Sequence, residues 1–411
     1  MSCKISTCSG LTLFRTCDLR YHHNNCLVFG AKMQIQSIVF KENIDRPDEW
    51  HLSCSDIFDV NLIVAQNGTG KSRTLRVLNY LFLTISDKTQ VIQNSNFIYD
   101  VVFFEKKSNT TYNYKVECEN GNIKNEHLII NNKTVISRRD KMVEAYYSKL
   151  NLTIETSLDT TKFAISQADE TQKDYLVPLV EFSKQVLMVN FGTDLGQNTF
   201  TVNGLLGIPK EQIDESNLRS YINSIVSFFH FSKAFDFFNE LCEAIKNDMN
   251  HIGYSIEEVS IEESGGGLLK GKPMDRIYVK ETDIKTRIYQ DLMSQGMFRA
   301  FAALTILNYL DISNKSGALL IDDIGEGLDF ERSSKLIELI IDKCSQKDIQ
   351  CLLSSNDKFV MNKIPLEHWQ IISRNAHKCL MINHKNNPEP FEDFKMIGLN
   401  NFDFFSTRYY E

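Results

Sequence analysis

Two adjacent side chains, Lys71 and Ser72, stand directly behind two glycines, Gly68 and Gly70, and this order suits the binding of a polyphosphate. Glycine lets the backbone curl so that several N–H groups face one anion. The lysine ammonium is a compact charge that can reach the outer phosphates, and the serine hydroxyl can ligate Mg²⁺. These four residues therefore predict a phosphate-binding loop.

The segments on either side of the loop support this prediction. A mostly apolar run at Val60–Val64 indicates a buried strand, and a helical pattern of leucines follows the loop. Strand, glycine-rich turn and helix in this order make the phosphate-binding loop of P-loop NTPases, although Ala65 takes the place of the usual first glycine. We therefore predict ATP as the ligand, and the residues that bind it here are Asn67, Gly68, Thr69, Gly70, Lys71 and Ser72.

A second apolar strand, formed by Leu319, Leu320 and Ile321, ends in the acid pair Asp322 and Asp323. This pattern is typical of a Walker B motif, in which the first acid reaches the Mg²⁺ shell. We predict that Asp322 and Ser72 hold Mg²⁺. Asp323 then acts as the base towards the attacking water, and Glu326 is the alternative base.

Two short stretches resemble further motifs of ABC-type ATPases. Residues 293–299 are similar to the ABC signature, with Ser294 and Gly296 at the start of a predicted helix, and the stretch ending at Asp329 resembles the D-loop. In ABC-type heads the signature contacts the γ-phosphate bound to the opposite subunit. The resemblance therefore implies a head-to-head homodimer, or a higher homo-oligomer, with ATP sandwiched between the heads. The alternative is an ordinary helix with Ser294 as its N-cap.

A third predicted strand, at 350–353, leads to a segment that resembles the switch of ABC ATPases. Asn356 stands where that switch usually has a histidine. Its amide can donate a hydrogen bond to a γ-phosphate but cannot titrate. We group Asn356 with Asp323 and Glu326 as catalytic candidates, and the departures at 323 and 356 leave the rate of hydrolysis open.

The elements between the two halves of the site predict an antiparallel β meander and then helices. Alternating apolar residues from 97 to 136, with a hairpin turn at Asn120 and Gly121, predict the meander. We expect a helix from Lys141 to Lys149 and a helical region from Pro209 onwards. The apolar stripe of this helical region consists of Leu218, Ile222, Ile225, Phe229, Phe235, Phe238, Leu241 and Ile245.

The expected fold class is α/β: a P-loop NTPase ABC-type head with an antiparallel β meander and an inserted helical lid subdomain. The predicted segments are an N-terminal extension at 1–32, an ATPase lobe at 33–140, a mainly helical insert at 141–284 and a second ATPase lobe at 285–411. A strand pattern begins at Met33, which suggests that Met33 is the natural start.

Composition narrows the class of protein. Hydrophobic residues make up 42 % and charged residues 24 % of the 411 residues, as in an ordinary globular chain. The net charge of −8 provides no global attraction to nucleic acid, and no apolar run is long enough to cross a bilayer. Ten scattered cysteines fit a reducing cytoplasm. Possible zinc ligands near the N-terminus are Cys3, Cys8, Cys17, His22, His23 and Cys26. They contain no Cys-x-x-Cys pair, so a zinc site there is the minority interpretation.

Taken together, these motifs resemble the ABC-type ATPase heads of the SMC, RecF and OLD group, over about residues 33–105 and 285–384. The residues at 294–300, 322–329 and 356–363 resemble the corresponding motifs of stand-alone AAA-type ATPases of bacterial antiviral defence operons. The resemblance implies an ATP-hydrolysing switch, cytoplasmic and not membrane-bound, that dimerises on ATP and controls a separate effector protein. Two other hypotheses stay open: a RecF-like repair head that binds DNA, and a nucleotide-binding scaffold that hydrolyses poorly.

Overall fold

The computed structural model describes residues 33–86, 91–169, 171–190, 225–262, 268–269, 272–273, 275–284, 286–313, 317–347 and 349–411. The predicted N-terminal zinc cluster, Pro209, Leu218 and Ile222 lie outside these residues.

Three strands and one helix form the first part of the described chain: β1 (Met33–Glu42), β2 (Trp50–Cys54), β3 (Val60–Val64) and α1 (Lys71–Ser86). All five residues of β3 are buried, which explains why four of them are apolar, and the side-chain amide of the fifth, Asn61, donates hydrogen bonds to the carbonyls of Phe58 and Cys351.

The β meander is present and is longer than predicted. It consists of β4 (Phe97–Glu105), β5 (Thr110–Glu119), β6 (Asn122–Ile130), β7 (Lys133–Arg139), β8 (Met142–Tyr147) and β9 (Leu152–Ser157), each antiparallel to the next. The turn at Asn120 and Gly121 is confirmed, since both residues have positive φ.

The helix predicted from Lys141 to Lys149 is wrong. Strand β8 occupies this segment and pairs with β7 on one side and β9 on the other. Val143 and Ala145 are buried while Met142 and Glu144 are exposed, so the burial alternates with the period of a strand. The meander therefore continues past residue 140, although the segment boundaries themselves stay a prediction.

The middle of the chain combines helices with strands. Helices that begin at Ile225 and Phe238 confirm the helical region. The described part of the apolar stripe faces the core: four residues are buried and two are partly buried, namely Ile225, Phe229, Leu241 and Ile245, and Phe235 and Phe238. Six short strands in this region were not predicted. The elements are α2 (Val177–Lys184), β10 (Val186–Asn190), α3 (Ile225–Ala234), α4 (Phe238–His251), β11 (Ile256–Glu262), β12 (Leu268–Leu269), β13 (Lys272–Pro273), β14 (Arg276–Glu281) and β15 (Ile288–Tyr289).

The last part of the chain alternates strands and helices and ends in two short helices. Phe404 of the final helix is fully buried, as expected for a residue that packs on the core. The elements are α5 (Gln295–Ile312), β16 (Ala318–Asp322), α6 (Phe330–Lys347), β17 (Gln350–Ser354), α7 (Lys358–Lys363), β18 (Trp369–Asn375), β19 (Lys378–Ile382), α8 (Pro388–Lys395) and α9 (Asn401–Ser406).

One large sheet positions the candidate site. Its strand order is β10-β16-β17-β3-β18-β19-β2-β1-β4-β5-β6-β7-β8-β9, and its first five strands run parallel. The loop after β3 and the acids at the end of β16 therefore meet at the same edge, because parallel strands share one carboxyl edge. This arrangement joins two motifs that are about 250 residues apart in the sequence.

Two hydrophobic clusters cover the two faces of the parallel strands. Ile63 of β3 faces the cluster that contains α1 and α2, whereas Leu62 and Val64 face the cluster that contains α5 and α6. Successive side chains of a strand point to opposite faces, so a strand buried on both sides consists mainly of apolar residues. None of the helices in the described ranges is both long and apolar enough to span a bilayer.

Candidate functional site

The loop between β3 and α1 folds as the glycine pattern predicts. Gly68 and Gly70 have φ of +78° and +118°, which side chains with a Cβ rarely adopt. The Thr69 hydroxyl donates a hydrogen bond to the carbonyl of Gln66, 2.6 Å away, and this bond closes the turn. A Cβ at Gly70 would lie 3.2 Å from the ring of Trp50, so the ring packs tightly against the loop.

The loop forms one wall of a cavity of about 390 Å³. The predicted loop residues line it together with Asp323 and Asn356, so both halves of the predicted site meet here. Four further side chains carry no prediction from the sequence. The lining residues are Trp50, Asn67, Gly68, Thr69, Gly70, Lys71, Ser72, Arg73, Arg76, Asp323, Asn356 and Arg374.

Lys71 is the most enclosed charge of the cavity, with 8 % of its surface exposed. Its ammonium group makes a long hydrogen bond, 3.5 Å, to the carbonyl of Ala65. Burial lowers the pKa of Lys71, while the negative charges of Asp323 and Asp322 act in the opposite direction. An anionic ligand in the cavity would favour the charged lysine in the same way as these acids do.

Ser354 holds the acid pair in place. Its hydroxyl donates a hydrogen bond to the Asp322 carboxylate and accepts one, 3.0 Å long, from the backbone N–H of Asp323. Asp322 is buried, and Asp323 adopts a positive φ of 54° that turns it towards the cavity. Desolvation and then the charge of Asp322 raise the pKa of the Asp323 carboxyl, and Lys71 opposes this shift.

Asn356 lies against the loop rather than apart from it. Its side-chain amide donates a hydrogen bond to the side-chain oxygen of Asn67, 2.6 Å away. Arg374 reaches the same loop from β18 and donates to the carbonyl of Gly68 at 3.1 Å. Two segments that follow β3 by almost 300 residues therefore brace the phosphate-binding loop.

The signature-like segment begins helix α5, with Ser294 as the N-cap. The Ser294 hydroxyl accepts a hydrogen bond from the backbone N–H of Met297 at 3.2 Å, and the residue itself is exposed. Gly296 is buried, and a Cβ there would overlap the carbonyl oxygen of Gly327. The alternative of a capped helix is thus realised, and the exposure of Ser294 leaves room for a second molecule.

The remaining two predicted acids serve the local structure of the D-loop. Asp329 accepts a hydrogen bond from the backbone N–H of Arg332 at 3.0 Å and forms an ion pair with that side chain, so it caps α6. Glu326 is exposed, and its carbonyl accepts a hydrogen bond of 2.8 Å from Arg299. The described residues that line the cavity do not include the predicted metal ligand Asp322, nor Ser294, Gly296, Glu326 or Asp329. Their proposed roles stay predictions.

Comparisons with known proteins find similarity to an AAA domain family, to a RecF protein and to SMC heads. Residues 205–362 match the family described as an AAA domain, putative AbiEii toxin, of type IV toxin–antitoxin systems. The DNA replication and repair protein RecF of Chloroherpeton thalassium is 23 % identical over 330 residues, which cover 70 % of this chain and 86 % of the relative.

Among solved structures, an SMC head bound to the C-terminal winged-helix domain of ScpA is similar with a TM-score of 0.50 and 11 % identity, over 86 % of this chain and 99 % of that one. An SMC head from Pyrococcus furiosus, bound to the C-terminal domain of ScpA, has a TM-score of 0.48 and 10 % identity, over 88 % and 100 % of the two chains. The chain has the fold of an SMC ATPase head. This result confirms the expected P-loop NTPase fold and the resemblance to the SMC and RecF group.

Arginines are the main cavity residues that the sequence patterns did not indicate. Arg73 pairs with the Glu42 carboxylate, and its guanidinium lies 4.5 Å from the centre of the Trp50 ring. Arg76 follows one turn later on α1, and its Nε donates to the carbonyl of Ser72 at 3.2 Å. The three-residue spacing of Arg73 and Arg76 is a usable signal, since residues three positions apart on a helix are neighbours.

Strand β10 is the second feature that the sequence patterns did not indicate. It lies beside β16 in parallel register, with Asn190 opposite Asp322. The apolar run from Val186 to Val189 was a usable signal for this strand. Its place at the edge of the parallel sheet depends on pairing with residues about 130 positions away, which no local pattern encodes.

Proposed function

We propose that this ATPase head binds and hydrolyses ATP with Mg²⁺. The observation that carries the proposal is one cavity lined by the glycine loop, Lys71, Asp323 and Asn356. The donors fit a polyphosphate, since the loop has two positive-φ glycines and four cationic side chains line the cavity. Backbone N–H groups, a helix N-terminus and clustered cations together favour such an anion.

The residues have distinct proposed roles in this chemistry. Lys71 binds the outer phosphates, and Ser72 and Asp322 hold Mg²⁺, which neutralises charge on the phosphates when it is bound. The hydrogen bond from Ser354 orients the Asp322 carboxylate for this task. Asp323 orients and deprotonates the attacking water, with Glu326 as the alternative, and Asn356 donates a hydrogen bond to the transferred phosphate.

We further infer a nucleotide-driven dimerisation switch. In this proposal the exposed Ser294, with Gly296 and Asp329, contacts the nucleotide held by a second copy of the chain. The dimer then controls a separate effector protein, and the match to a toxin–antitoxin family supports antiviral defence as the setting. The described cysteines are all free, which is compatible with the cytoplasm.

The decisive experiment measures ATP turnover and oligomeric state of the full chain together, with and without Mg²⁺. We expect turnover and an ATP-dependent shift from monomer to dimer, both lost in Lys71→Ala. Lys133→Ala, in β7 of the meander, is a control that changes a lysine outside the cavity. Turnover that is equal in Lys71→Ala and in the unchanged chain would refute the proposed site.

A second candidate function is a RecF-like, DNA-binding repair ATPase. The 330-residue similarity to RecF favours it. This function predicts that double-stranded DNA stimulates turnover and binds with an affinity that falls steeply as salt rises. A switch that acts only through a protein effector predicts turnover that DNA leaves unchanged.

A further inference from the structure

Three side chains that could ligate a metal ion meet close in sequence to Trp50 and Arg374, which line the cavity. Glu49 and His51 lie at the start of β2, and His377 lies in the turn between β18 and β19. One possible ligand atom from each residue lies within 4.8 Å of the other two, and all three residues are half-buried. No other group of three such side chains was found within the described residues.

The distances within this cluster suit a shared cation. Oε1 of Glu49 lies 2.6 Å from Nε2 of His51 and 3.6 Å from Nε2 of His377. The two imidazole rings are 4.9 Å apart and nearly perpendicular. Ligand atoms that surround a tetrahedral Zn²⁺ at about 2.0–2.2 Å lie roughly 3.3–3.6 Å apart, so small side-chain rotations would complete the geometry.

One nitrogen of the cluster lacks a satisfactory partner. Nε2 of His51 is buried and makes no hydrogen bond of acceptable geometry, although the Glu49 oxygen is close. A buried polar atom without a hydrogen bond is costly, and native proteins rarely leave one. A metal ion bound to this nitrogen would remove the cost.

The surrounding backbone already holds the three residues in place. The second oxygen of Glu49 accepts a hydrogen bond of 3.1 Å from the backbone N–H of Asp45. The backbone N–H of His51 donates to the carbonyl of His377 at 2.8 Å. The first bond orients the carboxylate, as outer partners orient ligands in known metal sites, and the second ties together the two segments that carry the histidines.

Some of the nearby charges oppose the binding of a cation to this cluster, and others favour it. Lys41 and Lys378 are in register with His51 on the neighbouring strands, and their charges oppose a cation. The carboxylate of Glu49, 2.6 Å from Nε2 of His51, acts against them. Imidazole and carboxylate ligands bind Zn²⁺ strongly enough to tolerate such neighbours, whereas Mg²⁺ and Ca²⁺ prefer oxygen ligands.

We propose that Glu49, His51 and His377 bind one Zn²⁺ ion, with water at the fourth position. The ion would tie the β1–β2 turn to the β18–β19 turn. The same two segments supply Trp50 and Arg374 to the nucleotide cavity, so the metal would stabilise the wall against which the phosphate-binding loop packs. This site is independent of the proposed ATPase function.

The test uses the full chain, stripped with a chelator and titrated with Zn²⁺ alone, without nucleotide or Mg²⁺. We expect Glu49→Gln and His377→Gln each to lose one equivalent of bound Zn²⁺, or to bind it at least about tenfold more weakly. His127→Gln in β6, a half-buried strand histidine, is the matched control and should keep the full number. Zn²⁺ should raise the melting temperature of the unchanged chain and the control but not of the two variants.

X-ray absorption at the zinc edge of the unchanged chain provides a readout that does not depend on the variants. We expect a shell of nitrogen and oxygen ligands with imidazole scattering. Sulfur ligation alone, or equal Zn²⁺ binding by the unchanged chain and both variants, would overturn the proposal and leave the cluster as an ion pair only. Lost ATP turnover would not affect this result, since the binding is measured without nucleotide.

Discussion

Asn356 donates a hydrogen bond from its side-chain amide to the side-chain oxygen of Asn67, across 289 residues of sequence. The bond joins the segment after β17 to the phosphate-binding loop. Asn356 therefore lies where it can exchange this partner for a phosphate oxygen. We therefore expect the Asn356 amide to respond to a bound nucleotide by forming a hydrogen bond, without a change in its protonation state.

Replacing Asn356 by alanine should reduce turnover more than nucleotide binding. Loss of one donor to a developing negative charge typically costs about 10²-fold in rate. The Asn67 hydrogen bond is exposed, so stability should change by less than about 0.5 kcal/mol. Steady-state turnover and equilibrium nucleotide binding check this prediction, and a variant with unchanged turnover would exclude a role for Asn356 in the reaction.

The Asp323→Asn variant should bind ATP and accumulate as an ATP-bound dimer. The substitution keeps the size of the side chain and removes the proposed base, so hydrolysis stops while the other phosphate contacts remain. Size-exclusion chromatography with ATP and Mg²⁺ measures the dimer, and single-turnover hydrolysis measures the chemistry. Glu326→Gln serves as the comparison, and a stronger loss of hydrolysis there would make Glu326 the base.

Two substitutions at Ser294 separate its roles as helix cap and as nucleotide contact. Ser294→Ala removes the cap of α5 and should cost about 1 kcal/mol of stability. Ser294→Asp keeps a good cap, yet it places a negative charge where we propose that a phosphate binds. We therefore expect Ser294→Asp to fold normally and to lose the ATP-dependent dimer. Normal dimerisation of this variant would leave Ser294 as a cap alone.

Alanine at Gly296 should disturb the D-loop. The new Cβ would meet the carbonyl of Gly327, a backbone atom that cannot rotate away. Overpacking of this kind typically costs about 1–3 kcal/mol. Urea unfolding measures the loss, with Gln295→Ala at the exposed first residue of α5 as the control. Equal stability of the two variants would show that the α5–D-loop contact is looser than described.

A buried ion pair between Glu126 and Arg138 should dominate the stability of the meander. Both side chains are fully buried. Arg138 also donates to the carbonyls of Asp159 and Lys162, at 2.8 and 2.5 Å. Arg138→Met leaves the Glu126 charge without its partner, which typically costs about 3–5 kcal/mol.

Urea unfolding and a double-mutant cycle with Glu126→Gln measure this coupling. The double variant should lose less stability than the sum of the two single variants, because neither charge is then left alone. Lys124→Ala breaks the exposed pair with Asp140 and should cost at most about 1 kcal/mol. Equal costs for Arg138→Met and Lys124→Ala would contradict the importance of the buried pair.

Short-range patterns in the sequence were sufficient for the elements that carry the chemistry. The glycines at 68 and 70 adopt the positive φ that their spacing required, and Asp322 ends a buried strand as its apolar run predicted. Between residues 141 and 149 the short pattern misled, since apolar residues there fit a helix as well as a strand. Pairing with β7 and β9 decided the outcome in favour of a strand.

The sequence by itself determined the loop, the acid pair and the capped helix, because each depends on the conformations and burial of neighbouring residues. Only the tertiary structure decided which distant side chains join them. Strand order brings Asn356 to Asn67, Arg374 to Gly68 and Trp50 against Gly70. Strand order results from pairing between segments up to about 300 residues apart, and the period of one segment reports which of its faces is buried but not which strand lies beside it.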